Sequence, residues 1–116
     1  ACTIDPSSEL LHFAGIGNIA ARALVGSTQR SLLSREGTIG THLAAPHPRS
    51  EHVAWAPGST LVLASDGLRP GFDLRSYGIL LGRDPVLVAA VLQRDHGRGH
   101  DDATVLVVQD VRRAAT

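Results

Sequence analysis

STLVLASDGL, residues 59–68, is an apolar run without alternation that ends in an acidic turn. A run of this kind, placed after the turn signal Pro57-Gly58, predicts a strand that is buried on both faces. DDATVLVV, residues 101–108, has the reverse order, because Asp101 and Asp102 come before a β-branched strand. The sequence therefore predicts two buried strands that each carry a carboxylate at one end, with Asp66 following the first.

Shorter extended runs occupy the first half of the chain, at residues 3–5, 9–16, 19–25, 30–34, 38–39 and 51–56, although the alanines of 19–25 also allow a helix there. The sequence Gly15-Ile16-Gly17-Asn18 predicts a tight turn, because Gly and Asn tolerate positive φ. It lacks the third glycine of a dinucleotide-binding fingerprint. We therefore interpret this half as a meander of antiparallel hairpins, and Thr41–Arg49, which contains two prolines, as a loop.

Helices are predicted late in the chain. Asp84-Pro85 indicates a helix start, with aspartate as N-cap and proline in the first turn, and Gly97 and Gly99 indicate its end. A shorter helix is predicted over Asp73–Leu81. The apolar face of the longer helix is predicted at Val86, Ala89, Ala90 and Gln93, widened by Leu87, Val91 and Leu92. This order of elements predicts an α+β fold of antiparallel β-sheets, a β-sandwich, flanked by helices.

The composition bounds the function. A chain of 116 residues with 43% hydrophobic content predicts one globular domain, 1–116. Eleven basic residues, all Arg, balance eleven acidic ones, which argues against a nucleic-acid groove. No apolar run reaches the roughly 20 residues of a membrane span, and no signal-peptide pattern opens the chain. The single Cys2 excludes an internal disulfide and fits a reducing compartment, so we expect a cytoplasmic protein.

The two acidic strand ends suggest a metal site. If the strands run antiparallel and side by side, Asp66 and Asp101 lie at the same end and their carboxylates converge. Convergence predicts either a shared proton or a divalent cation, since like charges at close range disfavour each other and hard cations prefer oxygen ligands. Aspartate next to a strand also serves local turns. Spacing alone leaves both interpretations open.

The histidines do not indicate a zinc site. His42, His47 and His52 are interrupted by prolines, and glycines separate His96 from His100. No second cysteine is available to complete a tetrahedral set. We interpret these side chains as solvated loop histidines.

Three segments together resemble the metal-dependent protein serine/threonine phosphatases, the PPM class. They are FAGIGN at residues 13–18, LVLASDGL at 61–68 and DDATV at 101–105. The resemblance runs from Thr3 to Val108 and is to the bacterial SpoIIE-like branch, whose members act on partner-switching regulators. RDHGRGHDD, residues 94–102, is similar to the subgroup fused to an anti-sigma-factor-type ATPase domain.

The resemblance implies a site and a reaction. Asp66 and Asp101 match metal ligands, and Asp102 matches a position that holds Asp or Asn in relatives. The implied cofactors are two Mn²⁺ or Mg²⁺ ions that activate a water, so no side chain acts as the catalytic nucleophile. Arg98 is a candidate for orienting phosphate. The implied substrate is phosphoserine or phosphothreonine on a regulatory protein, such as an anti-sigma-factor antagonist.

The chain departs from the family pattern at one point. Complete members have an earlier strand with an Asp-Gly motif whose aspartate bridges both metals, whereas Asp5 matches the turn that follows that strand. The resemblance therefore implies the C-terminal part of the domain, inactive in isolation, with exposed sheet edges able to form a homo-oligomer. The alternative is a non-catalytic regulatory or protein-interaction module that retains the phosphatase fold.

Overall fold

The computed structural model describes residues 1–38, 40, 50–99 and 101–112. The predicted loop at Thr41–Arg49 lies outside these residues, and so does His100. The strands are β1 (Cys2–Asp5), β2 (Leu10–Ile16), β3 (Ile19–Val25), β4 (Thr28–Leu32), β5 (Ser34–Arg35), β6 (Ser50–Ala54), β7 (Thr60–Ser65) and β8 (Val105–Gln109). A 3₁₀ segment (Leu74–Gly82) and one α-helix, α1 (Pro85–His96), separate β7 from β8.

The strands form two sheets. In the first sheet β2 pairs antiparallel with β1 and with β6, and the short β5 joins it in parallel. The second sheet has the order β4-β3-β7-β8 and is antiparallel throughout. The helical elements pack on one face of the second sheet. The predicted α+β fold with antiparallel sheets in a sandwich is confirmed.

The predicted hairpin between β2 and β3 is wrong. The turn is present, with Gly17 at a φ of 96°, but β3 pairs with β4 and β7 rather than with β2. The chain therefore crosses from one sheet to the other at this turn. The reason is that six residues of β3, Ile19–Leu24, pair with β7, while β2 uses its own pairing positions for β1 and β6. Alternation within a strand does not reveal which neighbour it pairs with.

Strand β7 lies at the centre of the molecule. Leu61 and Leu63 pack between the sheets, whereas Val62 and Ala64 pack under the helical elements, so the predicted burial on both faces is confirmed. The buried residues between the sheets are Leu11, Phe13, Ala21, Ala23, Leu32, Val53, Trp55 and Leu61. Those between the second sheet and the helical elements are Leu24, Val62, Ala64, Leu68, Phe72, Leu74, Val88, Leu92 and Val107.

Helix α1 begins and ends where its sequence predicts. The Asp84 carboxylate accepts a hydrogen bond from the Val86 N–H (2.9 Å), and the Gly97 N–H donates to the Gln93 carbonyl (2.9 Å). The predicted apolar face is right at Leu92, which is buried, and at Ala89, which packs against the core, but it is wrong at Val86, which is 76% exposed, and it omits the buried Val88. Apolar residues lie on several sides of α1. Contact with the sheet, and not the spacing of these residues, therefore decides which face is packed.

The shorter predicted helix is a 3₁₀ segment. The Asp73 carboxylate caps it by accepting from the Arg75 N–H (2.9 Å), and it is broken at Gly78, where φ is 49° and ψ is −116°. Glycine tolerates this conformation because it has no β-carbon. Within the described ranges, no helix combines the length and the apolar composition that crossing a bilayer requires.

Two valines of α1 provide a matched test of the packing. Val88→Ala removes two buried methyl groups and should lower the free energy of unfolding by about 1–3 kcal/mol. Val86→Ala, one half-turn away and largely exposed, should change it by at most about 0.5 kcal/mol. Urea denaturation of both variants measures the difference. Equal effects would show that α1 packs through another face.

Candidate functional site

Asp66 is presented by a turn at the end of β7. The turn closes through the Leu68 N–H, which donates to the Ser65 carbonyl (3.2 Å). Leu68 is only 2% exposed and anchors the turn in the core, whereas the Asp66 side chain is exposed. A carboxylate is therefore held at the end of the second sheet by a buried neighbour.

The segment after α1 fixes this turn in place. The Arg69 N–H donates to the His96 carbonyl (2.8 Å), and the Arg98 N–H donates to the Gly67 carbonyl (3.0 Å). The Arg98 Nε also donates to the backbone carbonyl of Asp66 (2.9 Å). The position of Asp66 thus depends on the end of α1 as well as on β7.

The second acidic segment, Asp101–Asp102, lies directly against the Asp66 turn. Two hydrogen bonds join Ser65 and Thr104. The Ser65 N–H donates to the Thr104 carbonyl (3.0 Å), and the Thr104 N–H donates to the Ser65 Oγ (2.9 Å). A β-carbon at Gly67 would overlap the Asp102 carbonyl oxygen and lie 2.7 Å from its carbonyl carbon. Because β7 and β8 are neighbouring antiparallel strands, both acidic segments lie at the same end of the sheet.

The carboxylates in these segments are exposed and have few partners. The Asp101 carboxylate accepts from the Asp102 N–H (2.9 Å), and no residue in the described part of the chain donates to the carboxylate of Asp66. Two exposed carboxylates on adjoining loops suit Mn²⁺ or Mg²⁺, which prefer hard oxygen ligands. Among the described residues, no three His, Cys, Asp or Glu side chains form a group that would hold a metal. The metal role of Asp66 and Asp101 therefore stays a prediction.

A cleft of about 360 Å³ opens beside Asp66. We call it the Asp66 cleft. It lies among the turn before β3, the start of β3, the segment from the end of β4 through β5, and the Asp66 turn. Its lining residues are Gly17, Asn18, Ile19, Ala20, Arg22, Leu32, Leu33, Ser34, Glu36, Ser65, Asp66, Leu68, Pro70 and Arg98. A substrate that reaches Asp66 is therefore able to contact β3, β4 and β5.

A hydrogen-bonded group behind the site was not predicted from the sequence. The Tyr77 hydroxyl lies 3.0 Å from an Asp95 carboxylate oxygen and 3.0 Å from His96 Nε2. Burial, and then the hydrogen bond to Asp95, raise the pKa of Tyr77 to about 12. The group joins the 3₁₀ segment to the end of α1, which in turn holds the Asp66 turn. Tyr77 is the single tyrosine of the chain and belongs to no recognisable motif.

The prediction of solvated loop histidines is wrong for His52, which lies in β6, and for His96, which lies in α1. His52 lies opposite His12 across β2 and β6, with ring centroids 4.3 Å apart. His96 contacts Tyr77. Cys2 lies half-buried in β1, and burial raises the pKa of its thiol, which disfavours the reactive thiolate.

Comparison with known proteins identifies the fold. No protein-family model and no curated protein matches the sequence. A structure from the bacterial stressosome, a modular system adapted to control secondary messenger signalling, is similar with a TM-score of 0.74 at 24% identity, covering 91% of this chain and 55% of that one. The phosphatase domain of SpoIIE from Bacillus subtilis has a TM-score of 0.68 at 21% identity, with coverage of 99% and 56%.

PppA, a regulatory component of the type VI secretion system in Pseudomonas aeruginosa, has a TM-score of 0.59 at 17% identity, with coverage of 86% and 52%. The chain has a PPM-type phosphatase fold. At these identities the likeness shows the fold alone. The chain spans little more than half the length of each of these three structures.

Two loop glycines test the contact between the acidic segments. Gly67→Ala inserts a methyl group against the Asp102 backbone and should lower the free energy of unfolding by about 1–3 kcal/mol. Gly71→Ala, in the same loop, places its methyl group in open space and should have little effect. Thermal and urea denaturation compare the two variants. If Gly67→Ala is as stable as Gly71→Ala, the two segments do not pack together as described.

The single tyrosine makes its own pKa measurable. Ultraviolet absorbance titration of the folded protein should place the ionisation of Tyr77 at about pH 12. The pKa is raised above the unfolded value of about 10, so this contribution to stability is complete below pH 10 and is lost as the pH rises towards 12. Asp95→Asn should lower the pKa. A midpoint near 10 in the folded wild-type protein would contradict the partial burial of Tyr77 and its hydrogen bond to Asp95.

Proposed function

We propose that this chain contributes to a metal-dependent phosphatase that hydrolyses phosphoserine or phosphothreonine on a regulatory protein, with Asp66 and Asp101 as metal ligands. The observation that supports the proposal is the packing of Gly67 against the Asp102 carbonyl. It brings two acidic strand ends together in a fold shared with the SpoIIE phosphatase domain.

Each residue of the proposed site has a separate role. Asp66 and Asp101 supply carboxylate oxygens, and the Asp102 N–H holds one Asp101 oxygen in place. When bound, the Mn²⁺ or Mg²⁺ ions supply the Lewis acid that activates water for attack at phosphorus. Arg98 is hydrogen-bonded to the Asp66 carbonyl, which places a guanidinium beside the acid. We expect it to orient the phosphate, because guanidinium groups bind phosphate oxygens through parallel N–H donors.

The full site needs more than the described residues provide. Two carboxylates fall short of the roughly six oxygen ligands of a Mg²⁺ ion, even when water supplies several. The chain covers only 55% and 56% of two structures with this fold. We propose that a further carboxylate comes from polypeptide outside residues 1–116, and that the 116 residues alone have little activity.

A second candidate function is a non-catalytic regulatory module that keeps the fold. The absence of a three-ligand group among the described residues favours it. In both cases we propose a cytoplasmic phosphorylated regulatory protein as the partner, such as an anti-sigma-factor antagonist. Exposed sheet edges also leave a homo-oligomer open.

Hydrolysis of p-nitrophenyl phosphate with Mn²⁺ distinguishes the two candidates. Asp66→Asn and Asp101→Asn in the full-length protein should each lower kcat/KM by at least about 100-fold, because each removes a ligand. Asp84→Asn is the control, since asparagine caps a helix as well as aspartate does. Activity that survives both ligand substitutions would refute the metal role. No activity in any form would favour the non-catalytic module.

Metal binding is also measurable without turnover. Mn²⁺ at 100 times its dissociation constant should stabilise the wild-type protein by about 2.7 kcal/mol, and the Asp66→Asn variant by much less. Differential scanning fluorimetry with and without Mn²⁺ measures this shift. An equal shift in both proteins would place the metal elsewhere.

A further inference from the structure

The Asp66 cleft has two walls on opposite sides of β3. One wall is the Asp66 turn with Arg98, which follows β7. The other runs from Leu32 to Glu36, where β4 ends and β5 begins. Because β3 lies between β4 and β7 in the second sheet, its first residues form the floor between the walls.

The floor carries a positive charge. Arg22 is half-buried there, and its guanidinium donates to the carbonyls of Ala21 and Pro70. It also lies over the Phe72 ring, 5.2 Å from the centroid. No carboxylate in the described residues forms an ion pair with Arg22. Carbonyls and an aromatic ring orient the guanidinium without neutralising it, so the floor attracts anions.

The wall opposite Asp66 combines an apolar and an acidic side chain. Leu33 is 58% exposed, and Glu36 is exposed without a hydrogen bond or ion pair to any described residue. The wall is fixed from behind, because the Leu33 N–H donates to the Glu51 carboxylate of β6 (2.9 Å). This surface suits a ligand with an apolar group and a cationic group.

The span of the cleft sets the kind of ligand. From β7 across β3 to β4 are two inter-strand spacings, about 10 Å, which equals about three residues of extended polypeptide. A volume of about 360 Å³ is that of a small-ligand pocket and exceeds what a phosphate group needs. A phosphate at Asp66 therefore leaves the far wall free for a side chain about three residues away.

We propose that the Asp66 cleft selects phosphorylated polypeptides that carry an apolar and a basic residue two to four positions from the phosphorylated one. The phosphate lies at the Asp66 wall, where Arg22 and Arg98 favour its charge. The apolar side chain contacts Leu33, and the basic side chain pairs with Glu36. This inference rests on the proposed function, because that function places the phosphate at Asp66.

Paired phosphopeptides test the selection with the full-length protein and Mn²⁺. Two phosphoserine peptides differ only in Arg or Glu three positions from the phosphoserine. The wild-type protein should have a kcat/KM ratio of about two- to fivefold in favour of the Arg peptide, as expected for one partly exposed charge pair. Glu36→Gln should bring the ratio close to one, and Glu36→Arg should invert it. Each ratio compares two peptides with the same variant, so a change in the overall activity of that variant does not affect it.

A second pair of variants tests the apolar contact. Leu33→Ala should weaken discrimination between peptides with Leu and Ser next to the basic residue. Leu106→Ala is the matched control, because Leu106 is 53% exposed on β8 and does not line the cleft. The inference would be overturned if neither the Glu36 nor the Leu33 variants changed the peptide ratios. If the protein still hydrolysed p-nitrophenyl phosphate in that case, the proposed function would stand.

Binding separates the remaining outcomes. If the protein hydrolyses neither p-nitrophenyl phosphate nor peptide, the proposed catalysis fails. Fluorescence anisotropy of the same labelled phosphopeptides then tests the cleft directly. A preference for the Arg peptide that Glu36→Arg inverts would support the cleft as a phosphopeptide-binding surface. Equal binding of both peptides would overturn it.

Discussion

The close approach of the Gly67 backbone to the Asp102 carbonyl is the constraint on which the site depends. It requires a glycine after Asp66 and it fixes the register at the open end of β7 and β8. The hydrogen bonds between Ser65 and Thr104 reinforce that register from the strand side. This contact and these hydrogen bonds hold the backbones of the two acidic segments together. The framework, rather than the acids, therefore supplies the free energy that holds them together.

The framework is rigid because β7 is packed on both faces. Leu61 ties it to the first sheet, and Val62 and Ala64 tie it to the helical elements. The end of α1 and the segment after it are linked to the Asp66 turn by two backbone hydrogen bonds and by the Arg98 side chain, whose Nε donates to the Asp66 carbonyl. His96 contributes two contacts. Its backbone carbonyl accepts a hydrogen bond from the Arg69 N–H, and its ring contacts Tyr77 in the 3₁₀ segment. The geometry of the site thus depends on the packing of the 3₁₀ segment behind it.

Local patterns predicted the strands and the helix ends, because their causes are local. The apolar run before Asp66 allowed only a buried strand, and Asp84-Pro85 fixed the start of α1. The antiparallel neighbours β7 and β8, which place the acidic segments side by side, also agree with the sequence. The partner that each strand or helix face packs against could not be predicted from the local sequence. The sheet change between β2 and β3 and the burial of Val88 instead of Val86 depend on surfaces that are distant in the chain. The contact at Gly67 and the Asp66 cleft exist only after the sheets have formed.

The distribution of burial separates structural residues from functional ones. The two cores contain almost only aliphatic and aromatic side chains, and their packing does not involve Asp66 or Asp101. Exposed carboxylates on adjoining loops add little to the stability of the fold and are accessible to a cation. Half-buried Arg22 likewise loses hydration without gaining a carboxylate partner among the described residues. The carboxylates on the loops and the guanidinium in the floor of the cleft are the charges that the proposed metal and phosphate would meet. This separation of charged groups from the packed cores is the physical reason for proposing a binding site at this end of the sheet.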